Sequence, residues 1–167
     1  MKIGILGPQS PIKIYLSTAI TASITGTLLT PDLFREKPLP HNKHITTQFL
    51  TLVNSDISVE LIELHIGSCD QNQEYKNFKS CDILIFHTNQ LTNSNLNLLI
   101  AIGDLKKSNQ RLFIINSNKF HLDDPFTEIP TEIKNAFYEK YSDEMVSFFN
   151  WPKKPTIQNY RLLLESL

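Results

Sequence analysis

Gly7 and Lys13 frame the segment Gly7-Pro8-Gln9-Ser10-Pro11-Ile12-Lys13-Ile14, which follows an apolar run and leads into a helical pattern. A glycine turn that delivers a lysine and the amino end of a helix to one place suits phosphate. Backbone N–H groups wrap the oxygens and the ammonium neutralises them. Taken alone, Lys13 also reads as a solvated lysine at a helix start. A polar pair, Asn118-Lys119, closes a second apolar run. The remaining residues able to carry chemistry are His41, His44, His65, His87, His121 and Cys69, as metal ligands or titrating groups.

These residues must be positioned by the elements around them. Lys2 to Leu6 reads as a buried strand and Lys13 to Ile24 as a first helix ended by Gly26. Thr30 to His44 holds three prolines and no periodicity, so it reads as a long exposed loop. Ile45 to Val53 and Ile57 to Ile66 are strands separated by Asn54-Ser55-Asp56, a turn signal that predicts an antiparallel hairpin. After the polar segment Gly67 to Ser80, the pattern predicts a strand at Ile83 to Phe86 and a helix from Asn95 to Lys107. A strand from Leu112 to Ile115 and a helix from Pro130 to Tyr141 come next. Glu144 to Phe149 reads as a last strand. Thr156 to Leu167 closes the chain as a helix whose buried stripe is Ile157, Tyr160, Leu163 and Leu164. Strands alternating with helices predict a mostly parallel sheet covered on both faces.

Composition sets the outer limits. The chain has 167 residues, 41% of them hydrophobic and 20% charged, which fits one globular domain over residues 1–167. Sixteen basic and seventeen acidic residues leave a net charge of −1, so no global field draws the chain to nucleic acid. No apolar run is long enough to span a bilayer, and neither a signal peptide nor a lipidation motif is present. The expectation is a cytoplasmic protein with no membrane anchor of its own.

The order of elements resembles the Ras-like small GTPases, and three segments carry the resemblance. Ile115 to Asp124, INSNKFHLDD, places Asn118 and Lys119 on the first residues of that family's Asn-Lys-x-Asp motif. Val59 to Ser68, VELIELHIGS, follows the hairpin as the family's Asp-x-x-Gly strand does, and Ser80 to His87 is similar to its fourth strand. The opening segment lies on G-x-x-x-x-G-K-[ST]. The resemblance implies a three-layer P-loop GTPase-like fold with a six-stranded sheet in the order 2-3-1-4-5-6, strand 2 antiparallel. It also implies a nucleotide pocket at Gly7, Lys13, Asn118 and Lys119.

That pocket departs from the family at the positions that matter. Ile12 replaces the second glycine of the loop, and Ile14 replaces the hydroxyl that would bind Mg²⁺. His65 and His121 stand where aspartates would hold the ion and read guanine. The implied function is a catalytically inactive small GTPase-like domain, not an enzyme, acting as an adaptor or scaffold subunit. Its protein partners would bind the loop Thr30–His44 and the segment Gly67–Ser80, and it would hold no cofactor. The alternative is a divergent GTPase-like switch that binds GTP or GDP weakly and with little Mg²⁺.

No metal site is expected from the histidines. With strands about 4.8 Å apart, His65 and His87 flank the first strand at about 10 Å and His121 lies one strand further out.

Overall fold

The chain is described from a computed structural model, covering residues 1–7, 11–30, 32, 45–65, 79–88, 109–116, 131–139, 145–150 and 156–167. Strand β1 (Lys2–Gly7) is apolar without alternation because both of its faces are buried, from Ile3 through Gly7. Helix α1 (Pro11–Thr25) starts at Pro11, two residues before the expected start. Proline at a first helical position loses an N–H that would have had no intrahelical partner. The helix ends at Gly26, whose φ of +72° lets the N–H of Thr27 reach the carbonyl of Ala22 at 2.8 Å.

The predicted hairpin is present as β2 (Ile45–Thr51) and β3 (Ser58–His65), paired antiparallel with Thr51 opposite Ser58. Asn54 takes the left-handed conformation in the turn, at φ 59°. The later elements are β4 (Ile83–Thr88), β5 (Arg111–Asn116), α2 (Thr131–Tyr138), β6 (Val146–Asn150) and α3 (Ile157–Ser166). Each falls within a few residues of its sequence expectation. The helix expected from Asn95 to Lys107 lies outside the described residues, as does most of Thr30–His44 and Gly67–Ser80.

The six strands form one sheet in the order β2-β3-β1-β4-β5-β6. The pairs β1–β3, β1–β4, β4–β5 and β5–β6 are parallel, so the expected strand order and the antiparallel second strand are both found. Without β2, the parallel strands numbered along the chain run 2-1-3-4-5. On one face Ile3, Ile5, Val59, Leu61, Ile85, Phe113 and Ile115 pack with Leu16, Ile20 and Ile24 of α1 and Tyr160 and Leu163 of α3. The opposite-face residues Leu6, Ile62, Leu84, Phe86, Leu112 and Ile114 are equally buried. Helix α2 meets that face through Tyr138, edge-on to Phe148 at 5.7 Å between ring centroids.

Arg111 ties the closing helix to the sheet. Its guanidinium donates to the backbone oxygens of Ser166 and Leu167 at 2.6 Å each, and it lies 5.0 Å from the Phe113 ring centroid. The two bonds satisfy orphan oxygens at the end of α3 where its dipole is negative. Arg111→Ala should lower stability by about 1–3 kcal/mol. Denaturant unfolding followed by circular dichroism measures this, and an unchanged midpoint would show that the clamp contributes nothing.

Candidate ligand site

In open α/β sheets ligands lie beyond the carboxyl ends of the strands, at the point where the strand order reverses. Here the chain moves from β1 to β3 on one side and then crosses to β4 on the other, so the reversal falls between β1 and β4. Gly7 ends β1 at that point. Its φ is +151°, and a Cβ there would stand 2.3 Å from the carbonyl oxygen of His87. Glycine is therefore required by the close approach of two strand ends. His87 is fully buried in β4, and His65 is in register with Gly7 on the β3 side. The two histidines thus flank the end of β1 as the strand order predicts, with the His65 side chain outside the described residues.

Helix α1 starts just beyond this edge and runs for 15 residues. Pro11 supplies no N–H, and those of Ile12, Lys13 and Ile14 in the first turn have no carbonyl within the helix to bind. They stand at the positive end of the helix dipole.

Lys13 is not the solvated lysine that its position alone suggested. Its side chain is fully buried, and its Nζ donates to the carbonyl of Gly7 at 3.3 Å. Burial holds the Lys13 amine down at about 7, against a smaller upward pull from Glu63. Glu63 is raised by its own burial, opposed by a hydrogen bond from Ser17 and by the charge of Lys13. A buried ammonium half-protonated near neutral pH can take up a proton when an anion arrives beside it.

Glu63 and Ser17 are the site residues that sequence reasoning missed. The signal for Glu63 was available. Val59 and Leu61 are fully buried on the face toward α1, and the period of two carries the next position, Glu63, onto the same face. An acid in an apolar alternation requires a partner. For Ser17 the signal is its place one turn after Lys13 on the inner stripe of α1, where it is buried.

Of the residues singled out in the sequence, the structure brings Gly7, Lys13, His65 and His87 to one edge. Ile14 is half-buried and lines a cavity together with Glu63 and Gln48, while the Ile12 side chain is outside the described residues. Asn118, Lys119 and His121 also lie outside them, beyond the end of β5 at Asn116. Among the described residues no three metal-ligating side chains converge, and no helix is long and apolar enough to cross a membrane.

No family model matches the chain, and no curated protein matches it. Solved structures do. The flavodoxin-like domain of a Synechococcus sp. protein is similar over 98% of this chain and 92% of its own, with 15% identity and a TM-score of 0.52. A diflavin flavoprotein A3 from Nostoc sp. is similar over 99% of this chain and 88% of its own, with 14% identity and a TM-score of 0.53. At such identities the likeness concerns the fold. It agrees with the five parallel strands, whose order 2-1-3-4-5 is the flavodoxin-like one.

These findings correct the resemblance to Ras-like small GTPases and the P-loop GTPase-like assignment drawn from it. The inactive GTPase-like adaptor and the alternative GTPase-like switch fall with it. So does the expectation of no cofactor, since one of the similar structures is a flavoprotein. The physical reason lies in what strand order and spacing report. An order of 2-3-1-4-5-6 contains 2-1-3-4-5 once its antiparallel strand is set aside, and a Gly…Lys spacing fits any strand–turn–helix with a basic first turn. The chain is an α/β domain with a six-stranded, mostly parallel sheet, similar in fold to flavodoxin-like domains.

Proposed function

We propose that this domain binds a phosphorylated ligand of the flavin mononucleotide class at the β1–β4 edge. The phosphate would sit against the amino end of α1. The single observation that carries this reading is the buried Lys13 ammonium, donating to Gly7 directly beneath the reversal point of the sheet.

The residues present fit the phosphate end of such a ligand. The N–H groups of Ile12, Lys13 and Ile14 supply donors, Lys13 supplies the charge, and Gly7 keeps β1 close against His87. A bound flavin would supply electron transfer. The chain's own part is to hold the phosphate, match its charge with the Lys13 proton and keep water from the buried amine. On this reading the domain is a binding module and not itself a catalyst. The segments Thr30–His44 and Gly67–Ser80 remain its proposed protein-contact surface, on the strength of the prolines and of Phe34, Tyr75 and Phe78 in their sequences.

Titration with FMN and riboflavin, followed by flavin fluorescence, tests the reading. FMN should bind saturably at micromolar concentration, and riboflavin, which lacks the phosphate, about tenfold or more weaker. Lys13→Met should weaken FMN by a similar factor while leaving riboflavin unchanged. No saturable FMN signal, or equal affinity for the two flavins, would overturn it.

A further inference from the structure

Between the flank of α1 and the β2–β3 hairpin lies a cavity of about 330 Å³, a volume in the range of small-molecule sites. Its walls mix polar groups with apolar surface, the latter including Ile14 and Ala22. Ser17, Thr18, Thr21 and Thr25 come from α1, Gln48 from β2 and Glu63 from β3. Gln48 pairs with Leu61 and Thr46 with Glu63 across the hairpin, so Gln48 and Glu63 project from the same face of the sheet. The Thr21 hydroxyl bridges to the Gln48 side-chain oxygen at 3.4 Å, linking helix to edge strand.

A groove between a helix and a sheet is ordinarily closed by apolar side chains. Leu16, Ile20, Val59 and Leu61 do this along the adjoining part of the same interface. Here an open space remains, and hydroxyl, carboxamide and carboxyl groups share its lining with Ile14 and Ala22. The balance of charge then decides the class of ligand. Among the described residues Glu63 is the one ionisable group of the lining, and Lys13 acts on it from within the protein. The described lining therefore offers several uncharged donors and acceptors beside a single carboxyl group.

We infer that this cavity binds a neutral polyhydroxyl compound, a monosaccharide or sugar alcohol, hydrogen-bonded by Thr21, Gln48 and Glu63. The cavity adjoins the phosphate edge through Ile14, Ser17 and Glu63, whereas Thr21 and Gln48 belong to the cavity and not to that edge.

The test uses the intact chain, with D-glucose, myo-inositol and ribitol as neutral probes and glucose 6-phosphate and putrescine as charged ones. Calorimetry gives affinities, and amide chemical shifts of the labelled chain locate binding. At least one neutral probe should saturate at millimolar concentration or below and shift the amides of Thr21, Gln48 and Glu63. Thr21→Val and Gln48→Leu should each weaken it by about threefold to tenfold, with FMN affinity unchanged. The unaltered FMN titration separates failure here from failure of the flavin reading. Absence of saturable binding by all three neutral probes would overturn the inference. So would a preference for putrescine or the phosphate, or shifts mapping away from the cavity. The shift map on the native chain decides the question even if a variant fails to fold.

Discussion

Replacing the buried pair by uncharged side chains of similar shape, Lys13→Met with Glu63→Gln, should raise stability at pH 7 by about 1–4 kcal/mol. For a chain of this length each kcal/mol corresponds to about 2–4 °C in melting temperature. The gain comes from the cost that burial imposes on Lys13, whose amine falls from 10.5 to about 7. Each pKa unit represents about 1.4 kcal/mol, so the penalty below neutrality is of the order of several kcal/mol. The pH dependence gives the sign independently. From pH 7 to 10.5 the unfolded chain still carries a proton that folded Lys13 has released, so native stability rises with pH across this window. Glu63 acts oppositely. Its folded carboxyl is raised above 4.5, so its contribution is fully present below 4.5 and is lost as pH climbs through the raised value. The native chain should therefore pass through a shallow stability minimum near neutral pH, whereas the double variant should lack it. Denaturant unfolding at pH 4.5, 7 and 9.5 measures the profile. Parallel curves for the two proteins would show that the pair imposes no such cost. On the proposed function the same double variant loses FMN affinity, a gain in stability set against loss of the ligand.

The second large effect is expected at Gly7. Gly7→Ala would place a Cβ at 2.3 Å from the His87 carbonyl on a backbone at φ +151°. Holding a side chain in that conformation costs about 1–3 kcal/mol, and relieving the contact requires the ends of β1 and β4 to part. The sum should be about 3 kcal/mol or more, among the larger effects of a single substitution. Both the melting temperature and the FMN titration should fall. An alanine variant with native stability would mean that the two strand ends are free to separate, and the close approach would lose its significance.

The sequence shows the elements of this fold better than it shows their kinship. Lys2–Gly7 has no alternation because it is buried on two faces, and that alone marks it as an inner strand. Asn54-Ser55-Asp56 signals the hairpin because only a few residue types tolerate the φ of 59° found at Asn54. Tyr160 and Leu163 disclose the inner side of α3 by their spacing. Lys13 escaped the same treatment. Its buried ammonium meets the carbonyl of Gly7 and the field of Glu63 from a strand distant in the chain, and no local pattern encodes that meeting. The family was misread for a related reason. Strand order was inferred correctly, but the parallel part of that order is shared between doubly wound folds. The residues offered to tell them apart, Asn118, Lys119 and His121, lie outside the described part of the chain.

The hairpin has a consequence for how the sheet can assemble. Strands β2 and β3 are antiparallel neighbours joined by a short turn, whereas each parallel pairing must wait for a crossover to bring its strands together. Closing a long loop costs more chain entropy than closing a tight one. Edge strand β2 therefore offers β3 its entropically cheapest partner, and a two-stranded ribbon can exist while β1 is still searching. The strand that lies outside the parallel order is the one best placed to begin it.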